Sequence, residues 1–169
     1  MLLSVRSLFK RSHFDACNNV LNKARRLSEK YEDFNTLLEI LRWEKEIAYA
    51  QAKIDYLDTE LERIDREEKW CLERLGNISA YRNIFFELLV NIRKGASFRD
   101  ENKRAIFERI VEHPLLKNNE KAKCYQSKML YYRIWSLYSF VSQDWANFHE
   151  YGKLLIESME SQPLKLKED

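Results

Sequence analysis

Three histidines are the first residues to weigh as possible metal ligands or catalytic groups. His13, His113 and His149 are far apart in the chain, and none belongs to an HExxH or ExxH arrangement. Metal sites on helices need ligands one turn apart. We therefore predict no metal site. We expect His113 at the end of a helix, where a histidine suits the negative end of the helix dipole.

The cysteines and glycines also lack the spacing of a reactive site. Cys17, Cys71 and Cys124 are an odd number without a CxxC pair, which indicates reduced core thiols in a cytoplasmic protein. The three glycines are isolated from one another, so a glycine-rich phosphate loop is excluded. The sequence predicts no cofactor and no enzymatic activity.

The balance of charge does not favour a nucleic-acid partner. The formal net charge is +2 and the pI is about 8.3, whereas a nucleic-acid-binding domain is typically strongly basic. The acidic run from Asp55 to Lys69 is expected to be a solvated helix face. Arg6 and His13 have the separation found in one class of helical ribonucleases, but that spacing spans a predicted helix break. Because this spacing is only a weak match, a nucleic-acid-linked regulator or ribonuclease is an alternative and not the main prediction.

Aromatic and charged residues on predicted helix faces are the best functional lead. Tyr131 and Tyr138 lie seven residues apart on one face, and Arg42, Glu46 and Tyr49 share a face of an earlier helix. Tyrosine and arginine often anchor bound peptides. We predict partner binding for these five residues, with core packing or plain surface as the alternative.

The elements that carry these residues are predicted to be helices alone. The 169 residues include only 3 glycines and 2 prolines, too few for the turns of an all-β fold. Apolar residues recur at steps of three and four, which predicts about seven antiparallel helices and no strand. We expect one domain over 1–162 and a frayed tail over 163–169. No stretch of the sequence has the roughly 20 apolar residues that span a bilayer.

Capping residues and proline give the expected helix bounds. Ser12 and Asp15 predict a capping box, and Asp33 and Asp144 predict N-caps. Gly95 is expected as a C-cap, Ser97 and Asp100 as a helix start, and His113-Pro114 as a helix end. The other helices are expected over about 2–11, 14–27, 33–48, 55–94, 119–142 and 144–160.

The segment 55–94 keeps one apolar phase through Gly76, which predicts a single long helix. The residues on its predicted inner face are separated alternately by four and by three positions. The predicted seam consists of Leu57, Leu61, Ile64, Glu68, Cys71, Leu75, Ile78, Arg82, Phe85, Leu89 and Ile92.

Two segments resemble the helices of tetratricopeptide repeats. The helix that begins at Phe14 has the early aromatic of a second repeat helix, followed by small, large and small residues at Cys17, Leu21 and Ala24. Near the C-terminus the large-large-small pattern of a first repeat helix is matched by Tyr132, Trp135 and Ser136, and Trp145 opens the next helix. The resemblance implies a right-handed array of helical hairpins with a groove for a peptide or helix.

A second resemblance covers most of the chain and points to a group of uncharacterised bacterial tetratricopeptide-like proteins. It rests on the segments Lys30–Phe34, Tyr81–Asn83 and His113–Leu116. It implies no known activity. It does imply that this chain is a portion of a longer array, with further helices before Met1.

The sequence thus predicts a non-catalytic module that binds a protein or peptide partner or acts as a scaffold. Self-association is the first alternative, because Leu2, Leu3 and Leu8, or the seam of the long helix, would leave apolar surface for a second copy. A nucleic-acid-linked regulator is the second. No membrane partner is expected.

Overall fold

A computed structural model describes residues 2–51, 54–94 and 101–162, except for the side chains of 54–56 and 101–103. Within this part of the chain there are seven α-helices, two short 3-10 helices and no strand, so the all-α prediction is confirmed. The α-helices are α1 (Leu2–Lys10), α2 (Phe14–Tyr31), α3 (Phe34–Gln51), α4 (Ile54–Arg93), α5 (Glu101–Val111), α6 (Tyr125–Ser142) and α7 (Trp145–Ser161). None of the described helices is long and apolar enough to cross a membrane.

Three tight turns between helices have the same backbone conformation. Ser12, Glu32 and Gln143 have φ values of 58°, 55° and 63° and follow α1, α2 and α6. In each turn two successive N–H groups donate back into the last helical turn, as Glu32 does to Glu29 at 3.3 Å and Asp33 to Ser28 at 2.8 Å. This Schellman pattern closes one helix and lets the next begin within two residues.

Two of the three predicted N-terminal caps are confirmed. Asp33 Oδ1 accepts a hydrogen bond from the Thr36 N–H at 3.0 Å, and Asp144 Oδ1 accepts one from the Asn147 N–H at 3.2 Å. The capping box at Ser12 is wrong, because the turn places Ser12 in the left-handed region. The N-cap of α2 is His13, whose side chain makes no capping hydrogen bond.

The chain forms two compact units, Met1–Leu75 and Gly76–Asp169, and each is described by itself. The prediction of one domain over 1–162 stays a prediction. The tail over 163–169, the C-cap at Gly95 and the helix start at Ser97 and Asp100 lie outside the described residues.

The core of unit 1 (Met1–Leu75) comes from α1, α2, α3 and the first part of α4. Helix α2 is longer than predicted: Ser28 is buried in its extra turn, whereas Leu27, expected on the inner face, is 45% exposed. Cys17 and Cys71 are buried, as predicted. The buried apolar residues of unit 1 are Val5, Cys17, Leu21, Ala24, Phe34, Leu37, Ile40, Leu41, Ile47, Ile64 and Cys71.

The core of unit 2 (Gly76–Asp169) shows that the predicted seam of α4 is only partly right in its second part: Phe85 and Ile92 pack on the core, but Arg82 is exposed. The helix is continuous through Gly76, but its buried residues Tyr81, Ile84 and Leu88 each precede a predicted seam residue by one position. One position corresponds to about 100° around a helix of 3.6 residues per turn, so the core of unit 2 contacts a face of α4 beside the predicted seam. The main core cluster is Tyr81, Ile84, Leu88, Phe107, Ile110, Leu116, Tyr131, Tyr132 and Ile134.

Helix α6 begins at Tyr125 and not at Asn119 as predicted. The preceding connector is held in a largely non-helical conformation by the buried side chain of Asn77. Its Nδ2 donates to the Lys121 carbonyl at 3.1 Å, and its Oδ1 accepts from the Lys123 N–H at 3.0 Å. These bonds use backbone groups that a continuous helix would have paired internally.

Candidate functional site

A surface groove lies between α1 and α3 in unit 1. Both helices pack against α2, and the space between them encloses about 680 Å³. We call it the α1–α3 groove. It is lined by Leu2, Leu3, Arg6, Thr36, Glu39, Arg42 and Trp43.

Aromatic packing holds the two walls of the α1–α3 groove. Phe9 of α1 lies with its ring 5.6 Å from that of Trp43 and 5.6 Å from that of Phe14 at the start of α2. Val5 is fully buried beside Cys17, whose Sγ donates to the Val5 carbonyl at 3.7 Å. The groove is therefore preformed by packed residues and does not depend on a loop.

The rim of the groove is charged, and its charges are not engaged. Arg6, Glu39 and Arg42 are exposed, and among the described residues none of them has an ion-pair partner. Leu3, at the same rim, is 93% exposed. An apolar side chain beside guanidinium groups suits an amphipathic segment that carries carboxylates, because arginine binds carboxylates with two parallel hydrogen bonds.

Three of the five predicted binding residues belong to unit 1 and two belong to unit 2. Arg42 lines the groove, and Glu46 and Tyr49 lie exposed further along α3, with Tyr49 at 78% exposure. Tyr131 is only 7% exposed and belongs to the core of unit 2, while Tyr138 is half-buried with its ring 5.8 Å from that of Trp135. The alternative of core packing therefore describes Tyr131. Binding by the other four stays a prediction.

Sequence reasoning missed most of the groove. The sequence predicts Leu2 and Leu3 as apolar surface for a second copy, but it gives no indication of partner binding by Glu39 and Trp43, and Arg6 is considered there only for a ribonuclease. A signal did exist for the first helix: it contains Arg6 and Lys10 and no acidic residue. The position of Trp43 beside α1 depends on how three helices pack, which periodicity along a single helix does not specify.

A second cleft in unit 1 holds a network of ion pairs. It encloses about 410 Å³. Glu44 accepts from Arg25 at 2.8 Å and from Arg63 at 2.8 Å, and Glu67 accepts from the same two residues at 2.7 and 2.6 Å. The network links α2, α3 and α4. Its arginines are already bound to carboxylates, so we assign it a structural role.

The surroundings of this network shift the pKa values of Glu67 and Cys71. Burial alone would raise the pKa of Glu67, but hydrogen bonds from Arg25 and Arg63 outweigh it and hold that pKa below its ordinary value. Burial also raises the pKa of the Cys71 thiol at the floor of the cleft. A buried thiol of raised pKa is a poor nucleophile.

The histidines do not converge with acidic or thiol groups where the structure describes them. No group of three or more His, Cys, Asp or Glu residues within that part of the chain is placed to hold a metal ion. His113 caps the 3-10 helix Pro114–Leu116 by accepting a hydrogen bond from the Leu115 N–H at 3.2 Å. Its backbone N–H donates to the Ile110 carbonyl at 3.3 Å just after α5, so the expected position at the end of a helix is confirmed.

Comparison with models of protein families, with curated proteins and with solved structures finds no match to this chain. The tetratricopeptide resemblance therefore stays a prediction, and the groove itself carries the functional argument.

Proposed function

We propose that this chain is a non-catalytic protein-interaction module, tetratricopeptide-like and cytoplasmic, that binds an amphipathic peptide or helix in the α1–α3 groove. The partner places apolar side chains against Leu3 and Trp43 and places carboxylates beside Arg6 and Arg42. Glu46 and Tyr49 extend the contact along α3. Recognition of this kind needs no movement of the backbone.

The observation that supports this proposal most directly is the pair of uncommitted arginines above an apolar floor. Three other arginines of unit 1 are engaged: Arg25 and Arg63 bind glutamates, and the Arg74 guanidinium lies 3.6 Å from the centre of the Trp70 ring. Arg6 and Arg42 instead reach the rim of a groove of about 680 Å³. A bound carboxylate would complete their hydrogen bonding.

The test is a capture experiment on the full chain with both arginines reversed. We expect the Arg6→Glu/Arg42→Glu variant to lose a partner that the wild-type chain retains from a lysate of its source cell, by about tenfold or more in quantitative mass spectrometry. Each reversal replaces an attraction by a repulsion in a partly desolvated groove.

A matched variant reverses two exposed cations of unit 2, Arg82→Glu/Lys128→Glu, and so produces the same change in net charge. It should retain the partner. Equal losses of the partner in the two variants would show that only overall charge matters. Equal retention of the partner by all three chains would show that the groove is not the binding surface.

A further inference from the structure

The last helix carries two large apolar side chains that are about half exposed. Trp145 and Ile156 of α7 are 54% and 56% exposed, and His149 and Gly152 lie between them at helical steps of four, three and four. We call these four residues the α7 outer strip. The opposite side of α7 packs Tyr151, Leu154 and Leu155 on the core of unit 2. The Trp145 ring contacts those of Phe140 and Phe148, with centroids 6.0 and 6.2 Å away, so about half of each large apolar side chain of the strip is open to a partner.

Gly152, in the middle of this strip, has no role in the chain's own packing. A Cβ atom built there meets nothing within 4 Å. Glycine is among the weakest helix formers, so alanine would suit the isolated helix better. Its absence of a side chain would instead allow another helix to approach the α7 backbone closely.

The charges of α7 complement those of α1. Helix α7 carries three glutamates and one lysine, a net charge of −2, whereas α1 carries Arg6 and Lys10 and no acid, a net charge of +2. Arg42 adds a further cation to the groove beside α1. Leu3, at 93% exposure, is an apolar side chain available to meet the strip.

We propose that the α1–α3 groove of one copy of this chain binds α7 of a second copy. This inference rests on the proposed function and names its partner. Trp145 and Ile156 supply the apolar contacts, and Glu160 faces Arg6 and Arg42, whereas Glu157 is already paired with Lys153 at 3.7 Å. The two surfaces differ, so the contact is heterologous and leaves one groove and one α7 outer strip free in every dimer. Assembly therefore continues beyond two copies.

Sedimentation equilibrium of the full chain tests this directly. We expect the mass of the wild-type chain to rise with concentration above the 20.5 kDa of a monomer. Leu3→Asp and Ile156→Asp should each remain monomeric, since each loses one of the two surfaces. Both positions are exposed, so circular dichroism should show unchanged folding.

An equimolar mixture of the two variants gives the decisive result. Leu3→Asp keeps an intact α7 outer strip and Ile156→Asp keeps an intact groove. We expect a dimer of one copy each, about 41 kDa or twice 20.5 kDa, that grows no further. Self-association of Leu3→Asp alone would show that α7 pairs with α7 and would overturn the proposal.

The Gly152→Ala variant distinguishes an effect on the stability of α7 from an effect on how closely a second helix can approach α7. We expect it to raise the melting temperature by roughly 3 °C while weakening association at least about fivefold. Gly76→Ala is the matched control, because Gly76 is also a helical glycine with nothing within 4 Å of a built Cβ. It should raise the melting temperature and leave association unchanged.

A wild-type chain that stays monomeric at every concentration overturns self-association but leaves the groove open to another partner. The capture experiment then tests the proposed function separately, because it compares how much of a different protein the wild-type chain and the Arg6→Glu/Arg42→Glu variant retain.

Discussion

At the scale of single residues, polar side chains pair across distances in sequence that no local pattern reveals. Arg25 lies 19 residues from Glu44 and 42 from Glu67, yet it binds both. The run 55–69 was expected to be a solvated face, and the partly buried Arg63 and Glu67 belong to it. Opposite charges at helical spacing predict neighbours on one helix, but not a network that joins three helices.

The lowered pKa of Glu67 predicts how stability depends on pH. A carboxyl whose pKa is lowered by folding stabilises the protein above its ordinary pKa of 4.5, and that contribution is lost as the pH falls through the pKa of the folded state. Glu67→Gln should lower the free energy of unfolding by roughly 1 kcal/mol at pH 7. Urea titrations between pH 7 and 3 should show a shallower decline for the variant.

The control for this effect is Glu62→Gln, an exposed residue of the same helix. It should keep the wild-type decline. A parallel decline in wild type and Glu67→Gln would mean that the network does not contribute to acid sensitivity.

Asn77 makes a second prediction at the residue scale. Asn77→Asp replaces the Nδ2 donor by a carboxylate oxygen that faces the Lys121 carbonyl. Two acceptors then oppose each other at a position only 8% exposed. We expect a loss of roughly 2 kcal/mol in the free energy of unfolding by urea titration. Asn83→Asp, on the exposed side of the same helix, should change stability little; equal effects would contradict the role of these bonds.

At the scale of elements, the sequence was informative wherever a local rule decides the structure. The aspartates at 33 and 144 are the expected caps, and the apolar phase through Gly76 correctly predicted one long helix. The sequence-based predictions failed where tertiary contacts determine the local structure. The connector before α6 is shaped by Asn77, and the turn at Ser12 adopts a left-handed conformation that serine does not signal.

The three left-handed turns predict that a substitution by glycine will make the protein more stable at these positions. Non-glycine residues pay a steric cost at positive φ, so Gln143→Gly should raise the free energy of unfolding by about 0.5–1 kcal/mol. Glu150→Gly, in the interior of α7, should lower it by about 1 kcal/mol. Thermal denaturation distinguishes the two signs. A loss at both positions would show that Gln143 does not hold the left-handed conformation in solution.

At the scale of the whole molecule, the class of fold followed from composition and periodicity, but the arrangement of surfaces did not. The scarcity of glycine and proline and the steps of three and four were enough for seven helices. The α1–α3 groove needs three helices in a specific packing, and Arg42 is its one lining residue for which the sequence predicts peptide binding. Tyr131 shows the converse, since the tyrosine that suited a groove by type is buried in a core.

The most direct test of the central claim is site-specific photo-crosslinking of the full chain in its source cell. A photoreactive phenylalanine derivative at Glu39, on the rim of the α1–α3 groove, should give one discrete protein adduct, which disappears when Arg6 and Arg42 are both changed to Glu. The same probe at Arg82, exposed on α4, should give none. Adducts from Arg82 with none from Glu39 would contradict the groove as the binding surface.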